Sequence, residues 1–120
     1  MAIAARISDA SKQDLTPALF RALAAQVAEG WCTRNTELAA EAFTDDAIFT
    51  EPPGRQVYRG QTELRAFFDR VSPGSTMQWH QLWFDRDTGV GAGEYTFHRA
   101  GRDTAAHGVA VITLRDGRIA

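Results

Sequence analysis

Glu51 is the residue of this 120-residue chain best placed to do chemistry. It closes the string Ile48-Phe49-Thr50-Glu51, just before Pro52-Pro53. Side chains alternate across a strand, so Glu51 and Phe49 share a face. A carboxylate on an apolar face would be desolvated, and a desolvated carboxylate accepts a proton readily, as a general base must. His80, in Trp79-His80-Gln81, is a second candidate, because imidazole both takes and gives a proton near neutrality. Alternation turns either His80, Leu82 and Phe84 inward or Trp79, Gln81 and Trp83; both sets are partly apolar, so periodicity does not choose. Tyr95 shares a face with Gly93 and Phe97, and its phenol could donate to an oxygen whose charge grows in a transition state. Each residue also has a plain role open to it: a solvated strand-end Glu51, a surface or dimer-interface His80, a core Tyr95.

Other chemistries find no footing. The three histidines have no clustered spacing, and no HExxH or paired-cysteine pattern exists, so no metal site is expected. No GxGxxG, GxxxxGK[ST] or GxSxG string occurs. Gly89-Val90-Gly91-Ala92-Gly93 is glycine-rich, but no helix follows to receive a phosphate. Its expected role is sheet curvature or room for a ligand. Chemistry without a cofactor is the expectation.

Composition narrows the partners. With 13 basic and 15 acidic side chains well mixed, the net charge is −2 and no basic stripe is present to displace counterions. Neither nucleic acid nor an anionic membrane surface is therefore an expected partner. Cys32 stands alone, so no intrachain disulfide can form, and it reads as a small buried residue near a helix end. Met1-Ala2-Ile3-Ala4-Ala5-Arg6 is too short an apolar stretch for a signal peptide, which makes the cytoplasm the default.

The elements that must hold these residues follow from patterning. Residues 1–14 lack periodicity and read as an arm; residues 15–120 read as one domain. Thr16-Pro17 starts a helix over 17–32, with Leu19, Phe20, Leu23, Val27 and Trp31 on one stripe. A short helix carries Leu38, Ala39, Ala42 and Phe43, and a brief strand spans 47–50. Tyr58-Arg59-Gly60 leads into a third helix over 61–71, with Leu64, Phe67, Phe68 and Val71 inward. Strands are then expected over 77–84, 90–99 and 104–114, with a turn at Asp116-Gly117 and a fourth strand at 118–120. Helices segregated from an antiparallel meander argue an α+β fold, the helices covering one face of a curved sheet.

Several strings in this order resemble the SnoaL-like branch of the NTF2-like superfamily. They are Trp31…Leu38…Phe43-Thr44-Asp45-Asp46-Ala47-Ile48-Phe49…Glu51-Pro52, Tyr58-Arg59-Gly60 with Leu64 and Phe67-Phe68, and His107-Gly108-Val109-Ala110-Val111-Ile112 with Arg115-Asp116-Gly117. The resemblance covers about residues 17–120 and implies a cone-shaped, curved antiparallel sheet covered by three N-terminal helices, the cystatin-like α+β barrel. It implies a pocket in which the carboxylate at Glu51 serves as base, as in ketosteroid isomerases, whose oxyanion hole is a tyrosine and a protonated aspartate. Those two donors fall near Val27 and Ala110 here, and neither can donate, so steroid isomerase activity is not assigned. Gly108, Ala110 and Ile112 are expected to face the cavity, and His107, His98 and Glu94 the other side.

The resulting expectation is a cofactor-independent isomerase, cyclase or dehydratase for a small hydrophobic carbonyl or ring-bearing molecule. Glu51, His80 and Tyr95 would be its catalytic residues. Trp31, Phe49, Phe67, Phe68, Trp79, Trp83, Phe97 and Ala110 would bind substrate. A non-catalytic binding or dimerisation module is the alternative, and pairing through the open sheet face to form a homodimer is expected in either case.

Overall fold

Thr16 opens the first helix: its hydroxyl accepts from the backbone N–H of Leu19 at 3.1 Å, and Pro17 takes the first helical position. In this computed structural model, which describes residues 15–51 and 56–120, α1 runs Pro17–Cys32. The expected arm at 1–14 and the Pro52–Gly54 turn lie outside the described residues. Asn35 caps the short α2, Thr36–Glu41, in the same way. α1 buries Phe20, Leu23, Ala24, Val27 and Gly30, the stripe that the spacing of its apolar residues predicts, while Leu19 and Trp31 sit half-buried at its margins. Cys32 departs from expectation. It is exposed at the end of α1, with its sulfur against the backbone of Met77.

β1, Ile48–Glu51, pairs antiparallel with β2, Gln56–Arg59, and α3, Gly60–Asp69, follows directly. β2 corrects the sequence reading, which took Tyr58-Arg59 only as a lead into a helix. The register sets Phe49 opposite Tyr58 and Glu51 opposite Gln56.

The main sheet is a meander in the order β3 (Thr76–Asp85), β4 (Val90–His98), β5 (Ala105–Arg115) and β6 (Arg118–Ile119). Helices and sheet form the α+β arrangement expected. Phe20 of α1 stacks on Phe84 of β3 with centroids 5.1 Å apart, and the indole N–H of Trp79 donates to the Ala24 carbonyl at 2.7 Å. Gln61 of α3 donates to the carbonyls of Ala40, Phe43 and Thr44, tying α3 to the end of α2. At the far end, Ile119 bridges the 42–44 segment: Thr44 donates to its carbonyl and its own N–H reaches Ala42. Every buried polar backbone group needs such a partner, and here β6 supplies it.

A bulge decides which residues of β3 look inward. The register runs Trp79↔Tyr95 and then Gln81↔Glu94, leaving His80 as the extra residue. Met77 and Trp79 therefore face the helices before the bulge, and Leu82 and Phe84 after it; all four are half-buried. Each set that strict alternation offers is half right. The glycines of β4 fit the same picture. A Cβ at Gly91 would lie 2.5 Å from the Phe20 ring, and one at Gly93 would lie 2.5 Å from the Trp79 ring. Those positions make room for core aromatics.

Candidate functional site

Between α1, the β1–β2 hairpin and the inner face of the sheet lies a cavity of about 700 Å³. Its apolar walls come from Val27 and Trp31 of α1, Phe43, Phe49 of β1, Trp79 of β3, Phe97 of β4, and Ala110 and Ile112 of β5. Tyr95 also lines it, opposite Gly108, where a Cβ would fall 3.0 Å from the phenol oxygen. The space over Gly108 is thus taken by Tyr95. A smaller, more polar cavity of about 340 Å³ adjoins it, lined by Gln56, Tyr58, Phe67, Arg70, Ser72 and Ser75 among others. Trp31, Glu51, Phe97 and Arg99 line both.

Glu51 is half-buried at the end of β1 and borders both spaces. Its carboxylate oxygen lies 3.2 Å from the Tyr58 hydroxyl, which also sits 2.8 Å from the side-chain oxygen of Gln56. A phenol has one proton, so it serves one acceptor at a time. Turning the Gln56 amide so that its NH2 donates to the phenol frees that proton for Glu51. Tyr58 is held by aromatic contacts to Phe49 at 6.1 Å and Phe67 at 4.7 Å, with the Arg70 guanidinium 5.9 Å above its ring. The carboxylate is therefore oriented by a fixed partner. Sequence reading passed over Tyr58, although a hairpin of 48–51 with 56–59 around Pro-Pro-Gly would have put it beside Glu51.

The other expected residues divide. Trp31, Phe49, Trp79, Phe97 and Ala110 line the larger cavity, Trp31 and Phe97 extend to the smaller one, and Phe67 lines the smaller one. Phe68 is buried core, in edge contact with Trp31 and Phe67, and lines neither. His80 and Trp83 lie on the outer face of the sheet, a correction that follows from the bulge. His80 hydrogen-bonds Thr96 at 2.6 Å and stacks on His107, which pairs with Glu94 at 2.9 Å. Trp83 is 51% exposed. Val27 and Ala110, where the resemblance to ketosteroid isomerases would set the oxyanion-hole donors, both line the cavity, and neither side chain can donate.

Two polar features escaped sequence reading. The indole N–H of Trp31 is buried without a hydrogen-bond partner among the described residues, while its ring meets Phe67, Phe68 and Phe97 edge-on. Arg99 and Arg102, in the loop after β4, line the mouth of the larger cavity. Nothing in their spacing marked them, because the loop's position over the cavity depends on the whole sheet. Among the described residues no cluster of His, Cys, Asp and Glu could hold a metal ion, and no helix is long and apolar enough to cross a membrane.

Solved structures share this architecture at low identity. A cystatin-like-fold protein of unknown function from Methylobium petroleophilum PM1 superposes with a TM-score of 0.78 at 18% identity, over 87% of this chain and 72% of that one. The epoxide hydrolase/cyclase-like enzyme SalBIII, which acts in pyran ring formation in the polyether salinomycin, gives 0.71 at 20% identity over 82% and 83%. An LEH-like epoxide hydrolase of M. tuberculosis gives 0.66 at 17% identity over 81% and 74%. These likenesses establish the NTF2-like, cystatin-like fold and nothing about chemistry. No curated protein matches the chain. The model of the SnoaL-like domain matches residues 23–120, and the chain belongs to that family.

Proposed function

We propose that the protein is a cofactor-independent acid–base enzyme of the isomerase, cyclase or dehydratase type, acting on a small hydrophobic carbonyl or ring-bearing molecule. The observation that carries this reading is Glu51: a carboxylate held by Tyr58 on the wall of a mostly apolar cavity. The cavity volume falls within the range of about 300–1,000 Å³ usual for small-molecule sites. In this mechanism the Glu51 carboxylate takes a proton from carbon next to a carbonyl, leaving an enolate and a protonated Glu51. The Tyr95 phenol donates to the enolate oxygen. Glu51 then returns the proton to a second carbon, or to a leaving group as the enolate collapses.

The test is hydrogen exchange at the α-carbon of a panel of cyclic ketones and enones in D₂O, followed by NMR. Glu51→Gln keeps the shape and removes the base, so exchange falls by about two to four decades. Equal exchange by wild type and variant removes Glu51 from the mechanism. A protein that binds members of the panel without accelerating exchange is the alternative, a non-catalytic ligand-binding module.

A second reading concerns the outer sheet face, where Trp83, Val109 and Val111 stay 51%, 62% and 77% exposed. Trp83, Ala92 and Val111 stand in one cross-strand row, an apolar stripe beside the His80–His107 stack. Pairing of two copies through this face would bury that stripe. Sedimentation at micromolar concentration tests it, and a strictly monomeric chain rules it out.

A further inference from the structure

The charge around the cavities is opposite to that of the molecule. The chain carries a net charge of −2. Yet the charged side chains among the described residues lining the two cavities are Arg70, Arg99 and Arg102 against a single acidic one, Glu51, with no lysine, histidine or aspartate. Arg70 is engaged over the Tyr58 ring. Elsewhere arginines are used up locally: Arg65 pairs with Glu37, and Arg115 with Asp46. The guanidiniums of Arg99 and Arg102 make no ion pair and no side-chain hydrogen bond with the described residues, and Arg99 is not paired with Glu51, although both border both cavities. Two unpaired forks thus open onto a space whose other walls are mostly aromatic and aliphatic.

We infer that this cavity takes an anionic amphiphile: an apolar, ring-sized body seated against Trp31, Trp79 and Phe97, with a carboxylate-like group held at the mouth between Arg99 and Arg102. The inference rests on the reading of the cavity as a ligand site and adds the substrate's charge. A guanidinium offers two parallel donors to a planar or tetrahedral anion, and it does so more strongly beside low-dielectric walls than in open water. Glu51 then fixes polarity. Its own charge repels an anion, so the acidic end goes to the arginines and the reactive C–H or leaving group goes to Glu51.

Two dyes of nearly identical body isolate the charge: 1-anilinonaphthalene-8-sulfonate and the neutral N-phenyl-1-naphthylamine, both of which brighten in apolar surroundings. The sulfonate should bind about three- to tenfold tighter at low salt, the range expected of two partly exposed charge pairs, and lose that advantage as salt screens it. Arg99→Gln/Arg102→Gln should erase the preference and leave the neutral dye's affinity unchanged. Because both side chains are exposed, this variant keeps its fold. Trp83→Gln, on the opposite face, should alter neither affinity. Equal binding of the two dyes, or a preference that survives the double substitution, overturns the inference while leaving the cavity reading intact. Loss of dye binding in Trp83→Gln places the dyes on the outer face and also overturns it. If neither dye binds, the ligand site itself is refuted, and the inference with it.

Discussion

The inner and outer faces of the main sheet are built from the same strands, yet they are different kinds of surface. Inward, Met77, Trp79, Leu82, Phe84, Tyr95, Phe97 and Ala110 meet the helices or the cavity, and glycines at 91 and 93 let rings lie against the backbone. Outward, Gln81, Trp83, Glu94, His107, Val109 and Val111 alternate polar and apolar groups with no covering layer. One inserted residue maintains the division. Without the bulge at His80, the two halves of β3 could not both turn their apolar side chains inward, since a shift of one residue moves every following side chain to the other face. The inner face is therefore specified by register, and the outer face only by what it must not cover.

Deleting His80 should produce the largest effect. The ladder would close, and either Met77 and Trp79 or Leu82 and Phe84 would turn toward water. Full burial of one large apolar side chain is worth about 1.5–3 kcal/mol, so turning a half-buried pair outward should cost about 2–4 kcal/mol, a large part of a domain's usual stability. Urea unfolding should show that loss, whereas His80→Ala keeps the extra residue and should cost under about 1 kcal/mol. A deletion variant within about 1 kcal/mol of wild type would show that the bulge does not set the register.

Neighbouring positions on β4 offer a smaller and cleaner contrast. Gly93→Val places a branched side chain where a Cβ already meets Trp79 at 2.5 Å, and should destabilise by about 1–3 kcal/mol or more. Ala92→Val, one residue away, points to the open outer face and should stay within about 0.5 kcal/mol. Equal costs at the two sites would mean that the faces are packed alike.

The same asymmetry explains what could be read from the sequence. Helix α1 was legible almost to the residue, because Thr16-Pro17 is a strong start and its stripe repeats every three or four positions. The meander was legible from its turns. β2 was not, since four residues between a proline-rich stretch of sequence and a helix carry too little periodicity to register as a strand. The inward set of β3 was illegible for a different reason: alternation assumes an unbroken ladder, and a bulge leaves no signature in residue type. Of the site, Glu51 and its apolar neighbours could be named from one strand. Tyr58, Arg99 and Arg102 could not, because only tertiary structure brings a hairpin partner and a distant loop to the same cavity.

On the outer face the expected changes are in association rather than folding. Trp83→Gln and Val111→Lys each remove part of the exposed stripe and should leave the unfolding midpoint within experimental reach of wild type. If two copies pair there, either change should shift the sedimentation profile toward monomer, with Val111→Lys the stronger because like charges would face each other across the two-fold axis. Dimers that persist in both variants would move the interface elsewhere.

The smallest effect is expected at the end of β5, where the sheet meets the loop before β1. Asp46 accepts from the Thr44 hydroxyl at 3.0 Å and pairs with Arg115; the Thr44 bond first, then the Arg115 contact, holds its carboxyl below the ordinary value. A carboxyl with a depressed value in the folded state contributes stability above its unfolded value of about 3.9, and that contribution disappears as pH falls through the lower folded value. The gap in melting temperature between wild type and Asp46→Asn should therefore be present at pH 6 and close as the pH drops below about 4. Because the pair is solvated, the gap should be small and should shrink in salt. Curves that stay parallel down to pH 2.5 would show that this seam, unlike the inner face, adds nothing to the fold.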